Sequence, residues 1–157
     1  VQGPNLMKGY FKNEAATQES FTSDNWYRTG DLGWMNEDGY FFVTGRRKEL
    51  IIKGGENISP REIDDVLYSH PAVLEAAAVA VPDSHYGQEI AACVVTKPGE
   101  SVTVDELHAF CIARLGNYKS PEKIQLLEEL PKGPSGKIQR LQLVQHFAPI
   151  DSKSMSS

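Results

Sequence analysis

Two apolar runs, Ala76–Val81 and Ile90–Thr96, constrain this chain more than anything else in it. Turn chemistry bounds both, Pro82-Asp83 after the first and Lys97-Pro98-Gly99 after the second, which is the layout of buried strands. The flanking segments read as helices. Ser59-Pro60-Arg61-Glu62 predicts a capping box with proline at the first helical position, and Ile63, Val66 and Leu67 then make one apolar stripe before His70-Pro71 ends the helix. Thr103-Val104-Asp105-Glu106 predicts a second box, opening a helix that buries Leu107, Phe110 and Cys111 and closes at Gly116-Asn117. Lys123–Leu127 reads as a third strand and Leu130–Gly136 as a loop. Ile138, Leu141, Val144 and Phe147 recur every third residue, as one side of a final helix would. The pattern gives an α+β domain of about 100 residues, helices on a short sheet.

Residues 1–45 have another texture, turn-rich and β-rich. Asn36-Glu37-Asp38-Gly39 predicts a hairpin joining Leu32–Met35 to Tyr40–Val43, and Asn13 is placed to cap a short helix through Ala16. Trp26, Trp34 and their aromatic neighbours have few aliphatic strands to cover them, so this part reads as the edge of something larger. The expected organisation is a β-rich segment over 1–45, a second domain over 46–147, and a Ser- and Lys-rich disordered tail over 148–157.

Composition narrows the function classes. The net charge of -5 comes from interspersed acidic and basic residues, which gives no basic surface for nucleic acid. Cys93 and Cys111 lie in apolar contexts without CxxC spacing, and His70, His85, His108 and His146 show no ligand pattern. Buried thiols in a reducing compartment are expected, and a metal site is not. No apolar run approaches the roughly 20 residues of a membrane helix, and a cytoplasmic location is the expectation.

Four segments carry the chemistry: Tyr27-Arg28-Thr29-Gly30-Asp31, Gly45-Arg46-Arg47-Lys48-Glu49-Leu50-Ile51-Ile52-Lys53, Gly54-Gly55-Glu56-Asn57-Ile58-Ser59-Pro60, and Pro134-Ser135-Gly136-Lys137-Ile138-Gln139-Arg140. In this order and spacing they resemble the later core motifs of AMP-forming acyl-CoA synthetases, peptide-synthetase adenylation domains and firefly-type luciferases. The resemblance runs from Gln2 to Phe147 and implies the small C-terminal lid domain of such an enzyme, preceded by a piece of its large ATP-binding domain.

The resemblance implies roles residue by residue. Asp31 would accept hydrogen bonds from the ribose hydroxyls of ATP or AMP, and Arg46 would reach the ribose or phosphate with its fixed guanidinium fork. Asn57 would lie near the AMP phosphate. Lys48 falls at the hinge about which the lid rotates between two poses. Gly54, Gly55 and Glu56 would line the tunnel for the pantetheine arm of coenzyme A, where absent side chains let backbone approach a narrow ligand. Lys137 would stabilise charge building on the carboxylate and α-phosphate during adenylation. The glycine-rich phosphate loop, the Mg2+-binding glutamate and the acyl pocket of the family belong to the preceding domain, so this chain alone is expected to be inactive.

The implied reaction joins a carboxylic acid to ATP, giving an acyl-adenylate and pyrophosphate, and then lets the CoA thiol displace AMP. Gly54–Pro60 and Tyr86-Gly87-Gln88-Glu89 are closest to CoA ligases for oxalate, coumarate or fatty acids. The alternatives are an adenylation domain that loads a carrier protein and a non-catalytic interaction module derived from the lid.

Overall fold

The computed structural model describes residues 1–147, and the expected disordered tail lies outside them. The chain divides into two compact units, Val1–Lys48 and Glu49–Ser157.

In the first unit, α1 (Glu14–Ser20) begins where the Asn13 carboxamide oxygen accepts the Ala16 N–H at 3.0 Å. β1 (Asp31–Met35) and β2 (Phe41–Arg46) form the expected antiparallel hairpin, with Trp34 opposite Phe42 and their rings stacked at 4.4 Å. The aromatic surface stays open: Phe41 is 80% and Trp34 55% exposed within this unit.

The second unit holds β3 (Ile51–Lys53), β4 (Glu56–Ile58), α2 (Pro60–Tyr68), β5 (Val73–Asp83), β6 (Gly87–Thr96), α3 (Val104–Lys119), β7 (Lys123–Leu126) and α4 (Arg140–Leu143), the last followed by a 3-10 turn over Val144–Phe147. β3 and β4 are an antiparallel hairpin. The main sheet runs β5-β6-β7, antiparallel between the first two and parallel between the last two. β5 and β6 outrun the apolar segments that signalled them. Pro82 stays within β5, where the strand's position at the sheet edge tolerates a missing N–H.

Strand alternation splits the sheet into two apolar faces. Ala76, Ala78, Ile90, Ala92 and Val94 face one core, which Ile51, Ile58, Ile63, Leu67, Leu107 and Cys111 complete from β3, β4, α2 and α3. Ala77, Val79, Val81, Ala91, Cys93 and Val95 face a second core, covered by Leu130, Leu143, Ile138, Val144 and Phe147. Both cysteines are buried, and desolvation pushes each thiol up to about 11, as the apolar contexts implied.

Three local expectations need correction. Ser59 is the N-cap of α2, but its side chain makes no cap hydrogen bond, and Glu62 turns instead to the Lys119 ammonium at 2.8 and 3.0 Å. The reciprocal box does form at Thr103, whose hydroxyl accepts the Glu106 N–H at 3.2 Å while the Glu106 carboxylate accepts the Thr103 N–H at 2.8 Å. Thr103→Ala should therefore cost about 1 kcal/mol in urea denaturation; an unchanged midpoint would contradict this geometry. Phe110 is only half-buried, stacked edge-on to His70 at 4.7 Å, and α3 breaks at Gly116 (φ 74, ψ 169). Finally, Leu141 is 89% exposed and Leu143 is the buried residue, because the last helix is a single α turn that tightens into 3-10 geometry and shifts the apolar phase.

Candidate functional site

Asp31 and Arg46 stand opposite each other as partners at the open end of the first hairpin, with the Arg46 Nε 3.1 Å from the Asp31 carboxylate. Thr29 reinforces the turn, its hydroxyl accepting the Asp31 N–H at 3.1 Å. Arg46 is more than half exposed and Asp31 about a third, and an ion pair so open to solvent contributes at most about 1 kcal/mol. Lys48 is exposed in the 3-10 turn Arg47–Glu49, and the division between the two units falls immediately after it.

Gly54 and Gly55 are the whole connection between β3 and β4, with φ of +54° and +88°. A two-residue hairpin turn with both φ positive matches strand twist and favours glycine at both positions. A dense substructure underlies it. The Gly54 N–H donates to the Tyr86 carbonyl at 3.0 Å, the Tyr118 hydroxyl donates to the Lys53 carbonyl at 2.6 Å, and the Ile52 N–H donates to the Gln88 carboxamide oxygen at 2.6 Å. A Cβ on Gly54 would meet the Tyr118 hydroxyl at 2.9 Å and the Tyr86 ring at 3.1 Å. Below the turn, the Lys53 ammonium pairs with the Glu89 carboxylate at 2.6 Å, both residues being at least 93% buried, and lies about 5 Å from the centres of the Tyr86 and Tyr118 rings. Gly55, Glu56 and Asn57 are exposed beyond this support.

Lys137 is exposed on a compact hairpin rather than a loose loop. Lys132 bridges Ile138, the Lys137 carbonyl accepts the Gly133 N–H at 2.9 Å, and the Pro131 carbonyl accepts the Gln139 N–H at 2.8 Å. Lys132 pairs with Glu75 on β5, and Arg140 pairs with Asp64 on α2. Burial raises the Asp64 carboxyl above its ordinary value, against the opposing pull of Arg140.

The structure thus gathers the expected residues into three groups. Asp31 and Arg46 lie in the first unit; Gly54–Asn57 and Lys137 lie in the second, on opposite sides of its sheet. Sequence reasoning missed Lys53, Glu89, Tyr118, Asp64 and Arg140 as supports. Asp64 had a signal: a carboxylate interrupting the stripe of Ile63 and Leu67. Among the described residues no group of three or more His, Cys, Asp or Glu side chains could hold a metal ion. No helix among them is long and apolar enough to cross a membrane.

Residues 62–137 match a family described as the AMP-binding enzyme C-terminal domain. The chain is 56% identical over 146 residues to the sulfoacetate–CoA ligase of Cupriavidus necator, a match covering 93% of this chain and 29% of that enzyme. It is 45% identical over 147 residues to the oxalate–CoA ligase of Arabidopsis thaliana, covering 94% of this chain and 28% of the relative. Among solved structures it superposes on Bacillus subtilis o-succinylbenzoate CoA synthetase in complex with its acyl-adenylate intermediate, with a TM-score of 0.84 and 44% identity over 90% of this chain and 29% of that one. The chain spans under a third of the length of these relatives.

Proposed function

We propose that this chain is the lid-bearing part of an enzyme that activates a carboxylic acid with ATP as an acyl-adenylate and passes the acyl group to coenzyme A. One observation carries the reading: the Gly54-Gly55 hairpin and the Lys137 hairpin pack on opposite faces of a single sheet. Two groups fixed on opposite sides of one rigid body cannot serve one reacting centre together. They can serve it in turn if the body rotates, and Lys48, exposed at the boundary of the units, is where such rotation needs free torsions.

In the first pose Lys137 brings an ammonium to the carboxylate and α-phosphate, where negative charge grows as the anhydride bond forms. Asp31 receives the ribose hydroxyls and Arg46 the ribose or phosphate. In the second pose the glycine turn admits the pantetheine arm beside Gly55 and Glu56, with Asn57 near the phosphate, and the CoA thiol displaces AMP. Mg2+ and the acyl group would be held by the large domain that precedes the lid in this reading. Because that domain would hold the acid and the metal, the 157-residue chain alone should show no ATP–pyrophosphate exchange with any acid. Measurable exchange by it would overturn the placement of the site.

The reading is tested by supplying the longer enzyme that carries this chain with Mg-ATP, CoA and a panel of acids, following AMP release and thioester formation. The relatives make sulfoacetate, oxalate and 2-succinylbenzoate the first acids to try. Release of ADP, or AMP release without any thioester, would refute it.

A further inference from the structure

We infer that Arg140 is a positioning residue for adenylation, the tie that transmits rotation at Lys48 to Lys137. The inference rests on the reading of Lys137 given above. Arg140 reaches three elements at once. Its Nη2 pairs with the Asp64 carboxylate on α2, its Nη1 donates to the Ala78 carbonyl on β5 at 2.8 Å, and its Nε lies 3.5 Å from the Glu49 carboxylate. Asp64 in turn accepts the Ala78 N–H at 2.7 Å. β5 is an edge strand, and the outward N–H and C=O of Ala78 are therefore closed by this side-chain pair much as a neighbouring strand would close them.

The two anchors matter because of what they join. Arg140 follows Lys137 by three residues, at the exit of its hairpin. Glu49 follows Lys48 directly and begins the second unit. The entrance of the same hairpin is pinned separately, through Lys132 to Glu75 on β5. Lys137 is thus exposed at its tip but held at both ends, and its exit is bonded to the first residue that moves when Lys48 turns. A planar fork can hold Asp64, Ala78 and Glu49 together, whereas a lysine ammonium at the end of a flexible stem cannot. Buried Asp64 also makes the tie stiff, since a carboxylate removed from water keeps its partner.

The experiment measures both half-reactions in the complete enzyme. Arg140→Lys should lower kcat for ATP–pyrophosphate exchange about 10- to 100-fold, the scale of a displaced catalytic group. KM for ATP and the rate of thioester formation from preformed acyl-adenylate should stay unchanged. Glu49→Gln, at a solvent-facing position, should show the same selective pattern with a smaller loss, and it decides the matter if Arg140→Lys does not accumulate as folded protein. Equal loss in both half-reactions marks a merely structural role and overturns the inference, as does no loss in either. If Lys137→Ala abolishes exchange while both variants match the parent, the inference alone fails. If Lys137→Ala leaves exchange intact, the reading of Lys137 fails and takes the inference with it.

Discussion

Lys137→Ala should slow acyl-adenylate formation about 10² to 10³-fold in the complete enzyme, the usual scale for removing one positioned electrostatic group. The same variant, supplied with preformed acyl-adenylate, should make thioester at close to the parent rate. The asymmetry follows from where the residue sits. Its hairpin packs on the sheet face formed by Ala77, Val79, Val81 and Cys93, whereas the hairpin of the glycine turn proposed for the second step packs through Ile51 and Ile58 on the other. Removing an exposed ammonium from one face leaves the backbone of the other untouched. A bulky residue at Gly55 should impair the second step, because φ of +88° strains any L side chain there and the turn projects into the path proposed for pantetheine. Separate assays of pyrophosphate exchange and thioester formation read the two effects. Equal damage to both steps by Lys137→Ala would end the account of two poses.

Glu89→Ala should destabilise the second unit by about 3 to 5 kcal/mol, because it leaves the Lys53 ammonium buried without its counter-charge. At least 93% of each partner is removed from water, and the Tyr86 and Tyr118 rings offer the cation only their faces. The paired change Lys53→Met with Glu89→Leu should recover most of that loss, since an apolar pair of similar volume carries no desolvation cost. Urea midpoints of the single and double variants test this. A loss below about 1 kcal/mol for Glu89→Ala would show the pair to be open to water in solution.

Local sequence carried much of this molecule. Asn13, Thr103 and the Asn36–Gly39 turn acted within a few residues of themselves, and each formed as its chemistry dictates. The strands were legible for the same reason: Ala76–Val81 and Ile90–Thr96 are apolar on both sides because both sides of the sheet are covered. What escaped depended on partners far along the chain. Glu62 looked like the second half of a box with Ser59 until Lys119, 57 residues away, claimed its carboxylate. Asp64 finds Arg140 at a separation of 76 residues, and no local period announces such a pair. Of the proposed site, residue types and order were readable, together with the glycine turn. That Lys137 and Gly55 stand back to back was not, since strand alternation tells which residues share a face but not what covers each.

The cover of that second face has a consequence for biosynthesis. Residues 73–126 complete the sheet, yet Ala77, Val79, Val81, Ala91, Cys93 and Val95 are sealed by Leu130, Ile138, Leu143, Val144 and Phe147, which the ribosome makes only after the sheet. At about 5 to 20 residues per second, a nascent chain would carry an open, aliphatic sheet face for a second or more before its seal is made. The segment that bears Lys137, the lysine proposed for adenylation, is also the one that ends this exposure. Truncations before Leu130 would therefore remove the proposed adenylation lysine and expose a sticky surface in a single cut, and loss of function in such chains would say nothing by itself about catalysis.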